Sequence, residues 1–157
     1  MNQQCTLLYL RHGQKLLLAM KKRGHGVGKW NGVGGKVKPN ETVEECASRE
    51  CTEEIRVIPS IVRKVAIHDF VNSNPESNLN QRVHVYICDQ WNGKPEETEE
   101  MAPRWFDLDN IPYDDMWEDD RIWLPLILEG KMVQGKFSFN DSGEMLNSKL
   151  NIVRELT

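Results

Sequence analysis

The order of apolar patterns along this 157-residue chain predicts an α/β fold, an α-β-α sandwich with a mixed β-sheet between helices. Three observations carry that expectation. Apolar runs of strand length recur from the N-terminus to the C-terminus, one acidic amphipathic helix interrupts them early, and a second, apolar helix appears late. No repeat, low-complexity segment or linker divides the chain, so a single domain over residues 1–157 is expected.

Residues 5–10 and 15–20 read as two strands joined by a turn at Arg11-His12-Gly13-Gln14. Thr6 is the polar member of the first strand, either a filler or a ligand contact. Lys21, Lys22 and Arg23 close the second strand as a basic cluster, either a solvated strand end or a seat for phosphate oxygens. Residues 24–35 are too rich in glycine for a regular element and form a loop or distorted strand that a ligand can approach closely.

A helix follows. Thr42 and Glu45 make a capping box, and the periodicity carries the helix to about Ile55. Val43, Cys46, Ala47, Cys51 and Ile55 share its buried arc. Glu54 falls near the middle of that arc, Glu50 at its edge, and Glu53 beside Glu50. Carboxylates withdrawn from water cost several kcal/mol each unless paired or bound to metal. Either this is a salt-bridged solvent face, or Arg49 neutralises one acid and a hard divalent cation takes the rest.

Residues 58–71 and 81–91 make a long hairpin around a polar connection at 72–80, and four glutamates fill an acidic loop at 95–100. Met101–Asp107 is a further strand and 110–113 a turn. Five acids between 114 and 120 surround Met116 and Trp117 ahead of a helix at 121–130, which Pro125 bends or restarts. Helix capping and a binding role both account for Asp119 and Asp120. Met132–Phe139 and Met145–Val153 alternate around Asp141-Ser142-Gly143 as a closing hairpin.

With 20 basic and 24 acidic residues the net charge is −4, which argues against nonspecific binding to a polyanion. Four cysteines at 5, 46, 51 and 88 lack zinc or disulfide spacing, and no segment has the length and hydropathy of a membrane span or signal peptide. A reducing, cytoplasmic setting is expected.

Gly35, Glu41, Arg49, Glu50, Glu53 and Glu54 match six of the seven fixed positions of the Nudix box, G-x5-E-x7-R-E-U-x-E-E-x-G-U with U apolar. The chain therefore resembles the Nudix hydrolases. Arg56 replaces the second glycine, which implies an altered loop entry with the chemistry retained. The resemblance implies Mg²⁺, with Mn²⁺ as substitute, held by Glu50, Glu54, the Gly35 carbonyl, Glu53 and Glu100. It also implies catalysis by Glu50, Glu53 and Glu54, with Arg49 orienting them.

Beyond the box, residues 20–24, 28–32, 34–37, 105–106, 111–112, 115–117 and 119–120 are similar to the animal MutT-homologue enzymes that hydrolyse oxidised purine nucleoside triphosphates. By that resemblance Thr6, Lys21, Asn31, Phe70, Trp117, Asp119 and Asp120 line the base pocket, and Arg23 joins the substrate contacts. Val33 and His25 replace aromatics there and bear on selectivity.

The pocket has its own physical logic. Stacking on Trp117 is worth roughly 1–3 kcal/mol. Two close, desolvated carboxyls do not both ionise, so one donates a hydrogen bond while the other accepts. Asn31 offers both a donor and an acceptor. The expected activity is release of pyrophosphate from nucleotides such as 8-oxo-dGTP and 2-hydroxy-dATP by a monomer, with no stable nucleic-acid or membrane partner. Two rival readings are a pyrophosphohydrolase of RNA 5′ ends or other nucleoside diphosphate derivatives, and a noncatalytic nucleotide-binding Nudix module.

Overall fold

The computed structural model describes residues 2–77 and 80–156, so Asn78 and Leu79 of the polar 72–80 connection lie outside the described residues. Strand β1 (Gln3–His12) joins the two parts of one sheet. It runs parallel to a later strand along residues 3–10, then turns at Gly13 to pair antiparallel, through Arg11 and His12, with β2 (Lys15–Lys21). Short β3 (Trp30–Asn31) lies on β2 within the glycine-rich segment.

Helix α1 (Val43–Ile55) begins at the expected capping box: the Thr42 hydroxyl accepts from Glu45 N–H, and the Glu45 carboxylate accepts from Thr42 N–H. Strands β4 (Ile58–Asn72) and β5 (Gln81–Asn92) form the long antiparallel hairpin, and β6 (Met101–Asp107) returns along β2. Helix α2 (Asp120–Leu128) then leads into the closing hairpin of β7 (Met132–Phe139) and β8 (Met145–Val153), with β7 parallel to β4. The strand order is β3-β2-β1-β5-β4-β7-β8, with β6 on β2, a mixed sheet between two helices as the sequence predicts.

Two cores flank the sheet. Trp123, Leu124 and Ile127 of α2 pack with Cys5, Tyr9, Leu16, Leu18 and Phe137; Ala47, Cys51 and Ile55 of α1 pack with Leu8, Leu10, Leu17 and Val33. Strand β1 is thus buried on both faces, which is why its sequence reads as a nearly continuous apolar run. Burying a single Leu or Ile side chain is worth about 1.5–3 kcal/mol, so the two helices are held by packing more than by propensity.

Helix α2 does not restart at Pro125 but runs through it as one element, because the missing N–H removes a single bond from a helix of only nine residues. Arg56 itself adopts the left-handed conformation, φ 63° and ψ 33°, and its N–H bonds to Thr52 O, so the turn forms at a steric cost. Among the described residues no helix is long and apolar enough to cross a membrane.

Replacing Arg56 by glycine relieves that cost. R56G is expected to gain about 0.5–1 kcal/mol of stability, read as a raised midpoint of urea unfolding with an unchanged slope.

Candidate active site

The capping box sets the phase of α1, and that phase puts Arg49, Glu50, Glu53 and Glu54 beside the glycine segment. Arg49 is the hub. Its Nε and Nη2 grip the two Glu41 oxygens at 2.6 and 3.0 Å, Nη2 also reaches the Lys36 carbonyl at 3.2 Å, and Nη1 donates to Glu50 at 2.7 Å and Glu53 at 3.3 Å. The Arg49 guanidinium holds the Glu41 carboxyl down at about 2. The solvent-face reading of this helix is therefore not what the fold builds, although Glu53 remains 52% exposed.

Glu54 is 3% exposed. One of its oxygens accepts Gly34 N–H at 2.8 Å, yet burial, reinforced by the charges of Glu50 and Glu100, pushes its carboxyl up to about 8 against the easing effect of Gly34 and Lys21. Burial also raises Glu50, opposed by Arg49 and reinforced by Glu53 and Glu100. The Glu50 carboxyl lies against Gly35: a Cβ there would come within 2.6 Å of it and push that carboxyl aside.

The acidic loop is tied down around this cluster. Lys22 Nζ donates to Glu97 at 2.6 Å and to Thr98 O at 2.9 Å, the Thr98 hydroxyl donates to Glu54 O at 2.8 Å, and Arg23 pairs with Glu99 and Glu100 at 3.9 and 3.7 Å. These contacts bring Glu100 within charge range of Glu50 and Glu54. Mutually repelling, partly desolvated carboxylates fit a hard divalent cation; the Gly35 carbonyl next to them accepts from Thr6 N–H at 2.9 Å. Among the described residues no three acidic, histidine or cysteine side chains form a ready-made metal group; Glu50 is turned onto Arg49.

At the start of α2, Asp119 and Asp120 are 3% and 2% exposed. Neither caps the helix through its side chain: Asp119 has no cap bond, and Asp120 is already helical. Instead the Trp123 indole N–H donates to Asp119 Oδ2 at 2.8 Å, while Asp120 Oδ2 is buried with no hydrogen-bond partner. Burial raises the Asp119 carboxyl to about 6 despite the Trp123 bond; burial and the Asp119 charge push Asp120 well above the carboxylate range.

Trp117, three residues earlier, carries the His25 ring stacked at 5.1 Å and Lys29 Nζ at 5.1 Å from its ring, so the glycine loop covers one of its faces. Asn31 on β3 accepts from Gly32 N–H at 2.9 Å and from the Tyr9 hydroxyl at 3.4 Å through its oxygen, so its amide nitrogen turns away from Gly32 N–H. Phe70 stacks on Phe137 at 5.4 Å within the α2-side core.

Thr6 is turned toward α1, its hydroxyl 3.4 Å from Cys46 Sγ, and Val33 belongs to the α1-side core. Lys21 acts electrostatically on Glu54. Lys22 pairs with Glu97 at 2.6 Å, and Arg23, its side chain 63% exposed, lies 3.9 and 3.7 Å from Glu99 and Glu100. Sequence reasoning missed Tyr9, Thr98 and Trp123. Strand alternation puts Tyr9 on the face opposite Thr6, but nothing in the sequence says which of the two faces meets Asn31.

The NUDIX domain family model matches residues 1–127. The chain is 44% identical over 150 residues to the oxidized purine nucleoside triphosphate hydrolase of Mus musculus, covering 94% of each chain. It is 40% identical over 151 residues to the protein of the same name from Danio rerio, covering 96% of each. The crystal structure of a MutT protein from Bacillus halodurans superposes with a TM-score of 0.82 at 20% identity, over 95% of this chain and 97% of that one, a likeness of fold.

The buried acids of α2 make stability depend on pH. A carboxyl raised in the fold leaves stability fully present below its ordinary value of 3.8 and lost as pH climbs through the folded value, about 6 for Asp119. Between pH 4 and 7 the wild type should therefore lose about 2 kcal/mol more than D119N, measured by urea unfolding across that range. Parallel pH profiles would contradict this.

Proposed function

The chain belongs to the NUDIX domain family, and from that premise we propose that it is a Mg²⁺-dependent hydrolase of oxidised purine nucleoside triphosphates. Its substrates on this reading are 8-oxo-dGTP and 2-hydroxy-dATP, and its products are the monophosphate and pyrophosphate. The relatives from mouse and zebrafish are named for oxidised purine nucleoside triphosphates, which supports the substrate class. The observation that carries the reading is Glu54: a glutamate 3% exposed, raised to about 8 and flanked by Glu50 and Glu100, in need of a cation. We further propose a cytoplasmic monomer.

In the mechanism, Glu54, Glu50, the Gly35 carbonyl and Glu100 would hold the cation. A bound Mg²⁺ neutralises phosphate charge and lowers the pKa of the attacking water. Glu50 would leave Arg49 to take up that role, while the two bonds to Glu41 keep Arg49 anchored. Lys21, already within charge range of Glu54, would supply positive charge to the phosphates there. Glu53, half exposed on the outer turn, is the candidate to accept the water proton.

The α2 acids and Trp117 choose the base. Trp117 stacks the purine, and the Asp119–Asp120 pair, unable to ionise together, offers one donor and one acceptor. Oxidation at C8 adds a carbonyl and converts N7 from acceptor to donor, a pattern that such a pair reads. Asn31 meets the remaining edge with its amide nitrogen.

Pyrophosphate release with Mg²⁺ from a panel of oxidised and normal nucleotides, alongside triphosphorylated RNA, tests the assignment. E54Q is expected to keep the fold and lose at least about 100-fold in kcat, the scale of a lost electrostatic catalytic group. Full Mg²⁺-dependent turnover by E54Q would refute the metal site. D119A should reduce kcat/KM for 8-oxo-dGTP far more than for dGTP; equal losses toward both would make Asp119 a structural residue.

A further inference from the structure

Tyr9 is a tyrosine inside the apolar run of β1, fully buried at 0% exposure, and nothing in the chemistry above uses it. Its hydroxyl nevertheless ends 3.4 Å from Oδ1 of Asn31, a residue of the proposed base pocket. The Gly32 N–H points at the same Asn31 oxygen from 2.9 Å. A backbone N–H only donates, so the amide atom facing it is the oxygen, and the amide nitrogen turns the other way. Tyr9 supplies the second donor that holds the carboxamide in that sense.

The ring is fixed on every side. A Cβ on residue 32 would lie 3.0 Å from the ring carbons Cε1 and Cζ of Tyr9 and 2.9 Å from the Leu8 carbonyl, so Gly32 is what admits the ring. On its other side Tyr9 meets Trp123 edge to face, with centroids 6.3 Å apart and planes at 64°, and Trp123 donates to Asp119 at 2.8 Å. Tyr9 thus connects the wall of the pocket that carries Asn31 to the wall that carries the acid pair. Burial, with the charges of Asp120 and Asp119, holds the phenol well above its ordinary pKa, so the hydroxyl keeps its proton and stays a donor.

Given the proposed purine pocket, we infer that Tyr9 is a specificity-determining positioning residue: by fixing the Asn31 carboxamide with its nitrogen toward the base, it favours a purine with a carbonyl at that edge over one with an amine. An amide nitrogen donates to a carbonyl and has nothing to offer an amine, so a buried mismatch leaves both groups unpaired. The two bases to compare are 8-oxoguanine and 8-oxoadenine, alike at C8 and bearing a carbonyl and an amine respectively at C6.

The test is steady-state hydrolysis of 8-oxo-dGTP and 8-oxo-dATP with Mg²⁺ by the full chain, as wild type, Y9F, N31A, Y9F/N31A and N31D. Y9F keeps the ring and removes the donor. The ratio of kcat/KM for the guanine over the adenine nucleotide should fall about fivefold in Y9F, the worth of one neutral hydrogen bond, and through KM more than kcat. N31A should lower the ratio at least as far, with Y9F adding nothing to it. N31D, which presents only oxygens, should shift preference toward the amine-bearing base even where Y9F fails to fold. An unchanged ratio in folded Y9F, full additivity of Y9F and N31A, or an N31D preference like the wild type's would each overturn the inference. Wild type that hydrolyses no purine triphosphate would instead overturn the proposed function, and this inference with it.

Discussion

Carboxylates taken out of water are the constraint around which this molecule is built. The buried carboxylates among the described residues are Glu54, Asp119 and Asp120, each 2–3% exposed and each raised by desolvation. The fold gives them only partial relief: Gly34 N–H for Glu54, the Trp123 indole for Asp119, and a bare oxygen on Asp120. Leaving a buried polar group unpaired costs about 1–3 kcal/mol, so these acids weaken the free protein. Under the proposed function, what they gain in return is affinity for a cation at one end and for a proton-sharing base at the other.

Strand β1 holds these two ends together. Its two faces belong to different cores, with Leu8 and Leu10 under α1 and Tyr9 under α2, and its backbone bonds to the glycine segment through Thr6–Gly35 and Leu8–Val33. The same few residues, 31–36, therefore present Asn31 to Tyr9 and Gly34, Gly35 and Lys36 to the acids and Arg49 of α1. Arg49 completes the arrangement by binding Glu41, Glu50, Glu53 and the Lys36 carbonyl together.

Helix α1 was legible because its signals are local: the capping box and the 3.6-residue period fix which acids fall on the buried arc before any tertiary contact forms. The strands and the closing hairpin were legible for the same reason. The direction of Thr6, the ion pairs that consume Lys22 and Arg23, and the role of Tyr9 depend on which strands become neighbours, and no periodicity within one strand carries that information. Arg56 shows the converse limit, a residue unfavourable for the left-handed turn that the packed fold imposes on it. His68 is a harder case: both ring nitrogens are buried without a hydrogen-bond partner among Phe70, Trp123 and Phe137, and burial lowers its pKa to about 3, so it sits neutral in the core where the sequence showed only a strand position.

The central claim is that the α1 glutamates exist to bind a divalent ion against a triphosphate. Its most direct test is a crystal structure grown with Mn²⁺ and a nonhydrolysable purine triphosphate analogue, with the ion located by anomalous scattering. The account predicts a peak shared by Glu54, Glu50 and the Gly35 carbonyl and touching the phosphates, with Glu50 released from Arg49. An ion bound elsewhere, with Glu50 still on Arg49 and Glu54 still facing only Gly34, would contradict it.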